Sequence, residues 1–156
     1  MAPNEQPRPC SIADTLAIVG EKYSLLVLRE ACLGNGRFDQ LVRNIGAPRD
    51  ILATRLRRLV DAGILTKGLY SDHPQRFEYL PTQAGLELEP VLMILMAWGD
   101  RHLRADDDRP MVIEHACGNV LVPAVTCTAC GGTFRHEGIT SHAQAPGWTL
   151  KGPTAA

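Results

Sequence analysis

The sequence lacks the features that would direct it to a membrane, to the cell exterior or to a strongly charged partner. No apolar run approaches the roughly 18 residues of a membrane-spanning helix. The first residues lack the basic and then apolar order of a secretory signal. The 16 Lys and Arg residues nearly balance the 17 Asp and Glu residues, so the net charge of −1 indicates no particular partner. We therefore expect a cytoplasmic protein without a membrane partner.

The sequence also lacks an even set of cysteines. The five cysteines lie at uneven spacing, and three of them are close together near the C-terminus. This pattern fits reduced thiols or a metal site better than a disulfide framework. Apolar residues make up 45% of the 156 residues, which is enough for one folded core and predicts a single domain with a short appendage.

Helical periodicity dominates residues 10–62. Apolar residues recur at helical spacing in four segments, and glycines that tolerate the turn conformations of helix ends separate them. In the first segment Ile12, Leu16 and Val19 recur on one helical face, with Ser11 as the cap. The four predicted helices are SIADTLAIV, KYSLLVLREACLG, FDQLVRNI and residues 48–62, the last with Pro48 in its first turn.

A hairpin and a long helix should follow. ILTKGLY and RFEYL are typical of strands, and the polar residues 71–75 between them predict a turn. Thr82 should cap a helix over 82–103, in which Pro90 would produce a kink. This helix carries more apolar surface than it can hide. A second copy of the chain or the C-terminal segment would cover it, and both remain open.

The order helix, turn, helix, hairpin predicts a winged helix-turn-helix, a mainly-α fold of the α+β class. Helix 48–62 would be the reading helix, because Leu52, Leu56 and Leu59 form one apolar face. Its opposite face carries Arg49, Asp50, Thr54, Arg55 and Arg58. The predicted regions are a flexible arm at 1–9, the winged-helix and dimerisation domain at 10–104, a small cysteine-containing β appendage at 109–137 and a loose tail at 138–156.

Such a face fits double-stranded DNA. Residues 37–67 hold seven basic side chains against three acidic ones. Arg55 is the best candidate for a central base-edge or phosphate contact, because its guanidinium offers a bidentate fork, and Arg49 lies at the helix start, where phosphate is favoured. Backbone contacts are expected from Arg37, His73, Gln75 and Arg76. The alternatives are arginines that are only solvated, or a winged-helix module that binds protein and not DNA.

The segment from Cys10 to Gly85, continuing through the run MAWG, resembles the HxlR-type family of winged-helix transcriptional regulators. The matching signals are Cys10, Gly20, Lys22, LRE at 28–30, Gly34, Arg37, Phe38, LATRLRRL, AGI at 62–64, DHPQRFEY, Thr82 and Gly85. Tyr23 stands where the family usually has Trp, and Asp50 where a basic residue is common. The resemblance implies a sequence-specific DNA-binding homodimer, joined largely through the first helix and the long helix after the hairpin.

Cys10 is a candidate sensor thiol. It lies just before a helix start, whose partial positive charge favours the thiolate, and the resemblance implies oxidant sensing at this place. The alternative is a small packed residue at a dimer contact. The sequence leaves open an oxidant or a small-molecule effector.

The C-terminal cysteines suggest a structural Zn²⁺ ion. Cys127 and Cys130, followed by a glycine, form the C-x2-C-G turn of a zinc knuckle. Cys117 with His115, or with His136, would complete four ligands in a zinc-ribbon-like tail. Three free thiols are the alternative. We expect no enzyme, because the sequence offers no phosphate-binding glycine loop, no paired carboxylates and no thioredoxin-like setting for this C-x2-C.

Overall fold

A computed structural model describes residues 7–105 and 108–154, so most of the predicted arm at 1–9 lies outside the described residues. The chain forms two compact units, and each is treated by itself. One unit is Leu16–Pro123, and the other consists, within the described residues, of 7–15 and 124–154.

The predicted helices and hairpin of the first unit are present. The elements run α1 (Ser11–Val19), α2 (Ser24–Cys32), α3 (Phe38–Ile45), α4 (Arg49–Asp61), β1 (Leu65–Asp72), β2 (Gln75–Pro81), α5 (Gln83–Leu86) and α6 (Glu89–Leu103). Gly46 ends α3 with a left-handed φ of 68°, a conformation that favours glycine. Pro48 directly precedes α4 instead of lying in its first turn. The link between α3 and α4 is residues 46–48.

Leucines of α2, α3 and α4 form the centre of the core. Leu28, Leu41, Leu52, Leu56 and Leu59 have no exposed surface, which confirms the predicted inner face of α4. Burial of each such side chain stabilises the fold by about 1.5–3 kcal/mol. α4 is therefore fixed in its rotation about its own axis.

The hairpin is attached to the start of α3. β1 and β2 pair antiparallel from Leu65 opposite Pro81 to Asp72 opposite Gln75, with a bulge between Leu69 and Ser71. The backbone N–H of Tyr79 donates to the carbonyl of Gly36 at 2.9 Å. A Cβ at position 36 would overlap the carbonyl oxygen of Tyr79, so only glycine permits this approach.

The predicted long helix is wrong as a single element. It is two helices, because the turn at 87–88 separates α5 from α6 and Pro90 lies in the first turn of α6. A proline has no N–H to donate, so it is tolerated in a first turn and produces no kink here. The predicted cap is confirmed, since the Thr82 hydroxyl accepts a hydrogen bond from the Gly85 N–H at 3.2 Å.

Helices α6 and α1 each leave several apolar side chains in solvent. On α6, Val91, Leu95 and Trp98 are 47%, 49% and 50% exposed. On α1, Ile12 and Leu16 are also exposed in the single chain, whereas Val19 is buried. Residues 111–113 and 120–123 line a cavity of about 140 Å³ together with Met96 and Ala97 of α6, so the segment that follows α6 covers part of that helix.

The C-terminal region has less regular structure than the sequence predicts. In place of strands, residues 111–134 contain isolated bridges, from Glu114 to Val120 and from Thr126 to Thr133. The predicted loose tail contains a short antiparallel pair, β3 (Trp148–Thr149) with β4 (Gly152–Pro153). No residue from 124 to 154 is buried. Within the parts of the chain that the structure covers, no helix has the length and apolar character needed to cross a membrane.

Candidate nucleic-acid interface

The outer face of α4 presents polar and charged side chains, as predicted. Arg49 opens the helix with a side chain that is 64% exposed, and its Nη2 lies 2.9 Å from Oδ1 of Asp39. The Arg49 guanidinium also lies 4.9 Å from the ring centroid of Phe38 on α3. Asp50 is exposed and Thr54 is half-buried on the same outer side. The first turn of α4 is thus linked to the start of α3.

Arg57 belongs to this outer face although the sequence analysis did not select it. It is exposed, and its Nη2 lies 3.4 Å from the hydroxyl oxygen of Thr54. At about 100° per residue it points away from Leu52, Leu56 and Leu59. Helical periodicity alone could have identified it.

The expectation that Arg55 projects outward is wrong. Its side chain is only 14% exposed, and its Nη2 pairs with Oε2 of Glu21 at 2.8 Å. Its Nε is buried without a hydrogen-bond partner in the described structure. The physical reason is rotational, because position 55 lies only about 40° around the helix from Leu59 and therefore borders the apolar face. Arg58 is 58% exposed and pairs with the other oxygen of Glu21 at 3.2 Å.

A groove with arginine and aromatic lining separates α3 from the hairpin. Its volume is about 590 Å³, and its walls contain Arg37, Arg43, Arg76, Phe38, Tyr70 and Phe77, together with Asp39 and Gln40. The Arg37 guanidinium stacks 4.2 Å from the ring centroid of Tyr70. Phe38 and Asp39, which contact Arg49, also line this groove, so it adjoins the first turn of α4.

The cations of this groove differ in how far they are neutralised. Arg37 lies 4.0 Å from Oε2 of Glu78. Arg43 and Arg76 have no carboxylate partner within 4 Å among residues 7–105 and 108–154. His73, Gln75 and Arg76 are exposed at the hairpin tip, where the sequence analysis expects them. Arg43 was also absent from the predicted site residues, because only the fold brings α3 beside the hairpin.

A buried carboxylate fixes α3 against α2. Glu30 of α2 is 4% exposed, and it accepts hydrogen bonds from Asn44 at 2.7 Å, from Arg29 at 2.7 Å and from Asn35 at 3.0 Å. Burial alone would raise the pKa of Glu30, but the hydrogen bonds from Asn44, Arg29 and Asn35 and the charge of Arg29 outweigh it and lower the pKa. This cluster holds the helix that carries Arg43 in place.

Comparison with known proteins identifies this arrangement. The family model described as "HxlR-like helix-turn-helix" matches residues 18–107. The chain belongs to the HxlR-like helix-turn-helix family. An HTH-type transcriptional regulator of Mycobacterium tuberculosis, named as uncharacterised, is 40% identical over 142 residues, covering 90% of this chain and 89% of that protein. A regulator of Synechocystis sp. is 35% identical over 98 residues, covering 62% of this chain and 73% of that protein.

Solved structures agree with this assignment. The crystal structure of PA1607 is similar with a TM-score of 0.76 and 27% identity, and the match covers 88% of this chain and 96% of that one. The redox regulator HypR in its oxidised form is similar with a TM-score of 0.56 and 26% identity, over 62% of this chain and all of that one. The HxlR-like chain is thus a transcriptional regulator of the helix-turn-helix type, with a winged fold. Such regulators are generally not enzymes.

The cysteines of this HxlR-like chain lie in different surroundings. Cys10 is exposed directly before α1, and its carbonyl accepts the Asp14 N–H at 3.0 Å. Cys32 is half-buried in α2, and burial, followed by the negative charge of Glu89, raises the pKa of its thiol. Such surroundings are typical of a cysteine that packs inside the fold.

The predicted zinc ligands occur as two separate turns. In the unit that contains residues 124–154, the N–H groups of Ala129 and Cys130 hydrogen-bond to Cys127 and lower the pKa of its thiol. In the other unit, hydrogen bonds from the Asn119 side chain and then from His115 lower the pKa of Cys117 to about 7. Among the described residues, no group of three or more His, Cys, Asp or Glu side chains converges on a point. Hydrogen bonds that lower the pKa of Cys127 favour the form of the thiol that binds zinc, so the residues of the C-x2-C turn fit part of a four-ligand site.

Proposed function

We propose that this regulator binds double-stranded DNA sequence-specifically, as a cytoplasmic homodimer. One observation carries the proposal: the exposed first turn of α4 adjoins a groove whose walls contain Arg37, Arg43 and Arg76. α4 would lie in the major groove, and the hairpin and the groove beside α3 would follow the phosphate backbone. A surface that only binds protein would not need three guanidinium groups around one groove next to a reading helix.

The outer side chains of α4 would then divide into two kinds. Asp50, Thr54 and Arg57 face away from the core and would meet base edges or nearby phosphates. Arg49 lies at the helix start, where phosphate is favoured, and its contact with a phosphate would require that Asp39 release it. Base or phosphate contact by Arg55 would require that Glu21 release it.

Salt-dependent binding to duplex DNA tests this function. Each phosphate contact lowers the slope of log K against log salt by about 0.9, so Arg43→Ala and Arg76→Ala should each make the slope about 0.9 less steep. Arg101→Ala, an exposed arginine on α6, is the matched control and should keep the native slope. Footprinting with excess non-operator DNA should show two protected half-sites about one helical turn apart. Absence of salt-dependent binding would favour the alternative, a winged-helix protein-interaction module.

We further propose that Cys10 makes DNA binding thiol-responsive. The exposed thiol directly before α1 supports this, as does the similarity to HypR, which is named a redox regulator. Peroxide or a quinone should change the footprint of the native protein, and Cys10→Ser should abolish the change. Cys32→Ser is the control, because that thiol is half-buried. If Cys10→Ser responds like the native protein, the sensor is elsewhere, and a small-molecule effector becomes the better explanation.

We also propose a structural Zn²⁺ ion bound by Cys127 and Cys130, with His115 and Cys117 as the remaining ligands. The supporting observations are the amide-supported Cys127 turn and the lack of buried residues at 124–154, because a segment without a core needs another source of stability. Metal analysis of protein purified without chelator should give one zinc per chain, and Cys127→Ser and Cys117→Ser should lose it. Cys32→Ser should retain it. A zinc-free native preparation would contradict the proposal.

A further inference from the structure

Two arginines of α4 share one carboxylate, that of Glu21. Oε2 of Glu21 lies 2.8 Å from Nη2 of Arg55, and Oε1 lies 3.2 Å from Nη1 of Arg58. The Glu21 side chain is 44% exposed, so the pair with Arg58 lies at the surface and the pair with Arg55 reaches below it. Each carboxylate oxygen is committed to a different guanidinium, and one acidic residue therefore holds two cations of the reading helix.

The backbone around Glu21 holds this carboxylate in a defined place. The Glu21 carbonyl accepts hydrogen bonds from the N–H groups of Tyr23 and Ser24, both at 2.9 Å. Tyr23 has a φ of 156°, a conformation that residues with a side chain rarely adopt, and Ser24 is buried at the start of α2. Glu21 thus lies in a tight turn between α1 and α2, which presents its carboxylate to α4.

We infer that Glu21 is a specificity-determining residue, which withholds Arg55 and Arg58 from the DNA backbone. This inference rests on the proposed DNA binding, and it concerns how the binding free energy is divided between phosphate contacts and sequence-specific contacts. Phosphate contacts add affinity for every duplex regardless of sequence, because they release counterions at any site. Two guanidinium groups that are already neutralised within the protein contribute less to this sequence-independent affinity. The remaining outer residues of α4, which include Asp50 and Thr54, then account for a larger share of binding, and the ratio of operator to non-operator affinity rises.

The substitution Glu21→Gln tests the inference, because it removes the charge and keeps the shape and one acceptor. Binding to a duplex that lacks the operator is measured by fluorescence anisotropy between about 50 and 300 mM salt. The slope of log K against log salt should become steeper by about 0.9 for each arginine that reaches a phosphate, and by about 1.8 for both. The preference for the operator should fall. Glu87→Gln, on the exposed turn after α5, makes the same change in net charge and should keep the native slope.

A double-substitution cycle separates this role from a purely structural one. Removal of Arg58 should reduce the slope by about 0.9 more in the Glu21→Gln background than in the native background. Thermal unfolding verifies that each variant is folded, and Glu21→Ala serves as the second variant if Glu21→Gln is not. A native slope in the folded Glu21 variant, or equal effects of Arg58→Ala in both backgrounds, would overturn the inference. If the native protein binds no duplex at all, the proposed function itself fails, which is a different result.

Discussion

At the scale of single residues, the partner of a charge decides what that charge can do. Glu30 and Glu21 lie nine residues apart, yet one carboxylate is buried and the other is held at the surface. Glu30 connects α2 to α3 through Asn44 and Asn35, whereas Glu21 occupies two arginines of α4. Neither role follows from the residue type, because both depend on which donors the fold brings within hydrogen-bond distance.

Glu30→Gln should lower the free energy of unfolding by about 2 kcal/mol at pH 6, because hydrogen bonds from Arg29, Asn35 and Asn44 lose a charged acceptor. The pKa of Glu30 is lowered from its ordinary value of 4.5, so its charge stabilises the fold above that pH. This stabilisation is lost as the pH falls through the lowered pKa. The difference between native and variant protein, measured by urea unfolding at pH 6 and pH 3, should therefore shrink at pH 3.

Glu87→Gln is the control for this prediction. Glu87 is exposed. Its Oε1 accepts one weak hydrogen bond from the side-chain amide of Gln83, with an N···O distance of 3.4 Å. Its substitution should change the stability little at either pH. A difference for Glu30→Gln that stays constant between pH 6 and pH 3 would show that the carboxylate charge is not the stabilising feature.

At the scale of elements, residues 82–103 show how caps and proline divide a helical segment. The Thr82 hydroxyl accepts from the Gly85 N–H and donates to the carbonyl of Gly63 at 2.6 Å, so it joins the start of α5 to the end of the α4 region. A Cβ at Gly85 would overlap the carbonyl oxygen of Ile64, which explains a glycine inside so short a helix. The chain that follows β2 therefore packs beside Gly63 and Ile64, the residues that precede β1.

Thr82→Ala should lower the free energy of unfolding by about 1 kcal/mol, because the cap of α5 and the bond to Gly63 are both lost. Thr82→Ser keeps the hydroxyl and should stay within a few tenths of a kcal/mol of the native protein. Chemical denaturation of the three proteins measures both differences. Equal stability of the alanine and serine variants would mean that the hydroxyl does not stabilise this junction.

At the scale of the whole molecule, the exposed apolar side chains of α6 need a cover. Val91, Leu95 and Trp98 follow one another at helical spacing and are each about half exposed in the single chain. A second copy, related by a two-fold axis, would bury the same residues on both chains. The regulator would then present two α4 helices, as the proposed binding to two half-sites would need.

Leu95→Asp should convert the proposed dimer into a monomer, because a charge at the centre of an apolar contact would be buried without a partner. Size-exclusion chromatography with light scattering measures the change, and DNA affinity should fall with it. Leu150→Asp is the matched control, since Leu150 is 55% exposed and lies in the other compact unit. A dimer that persists in Leu95→Asp would exclude this face of α6 as the contact.

The sequence by itself determined the order of elements and the inner face of α4. Leu52, Leu56 and Leu59 could be assigned to the core because helical spacing and the need to bury apolar surface are local properties. The turn glycines, the hairpin and the Thr82 cap are local signals in the same sense. They sufficed to predict a winged helix-turn-helix, and the family comparison confirms it.

Only the tertiary structure decided which charges of this fold are free. Arg55 lies beside the apolar face and meets Glu21 from a distant turn, while Arg43 joins Arg76 across a groove between two elements. The physical reason is that such pairings depend on the packing of segments far apart in the chain, whereas periodicity reports only on the segment that carries it.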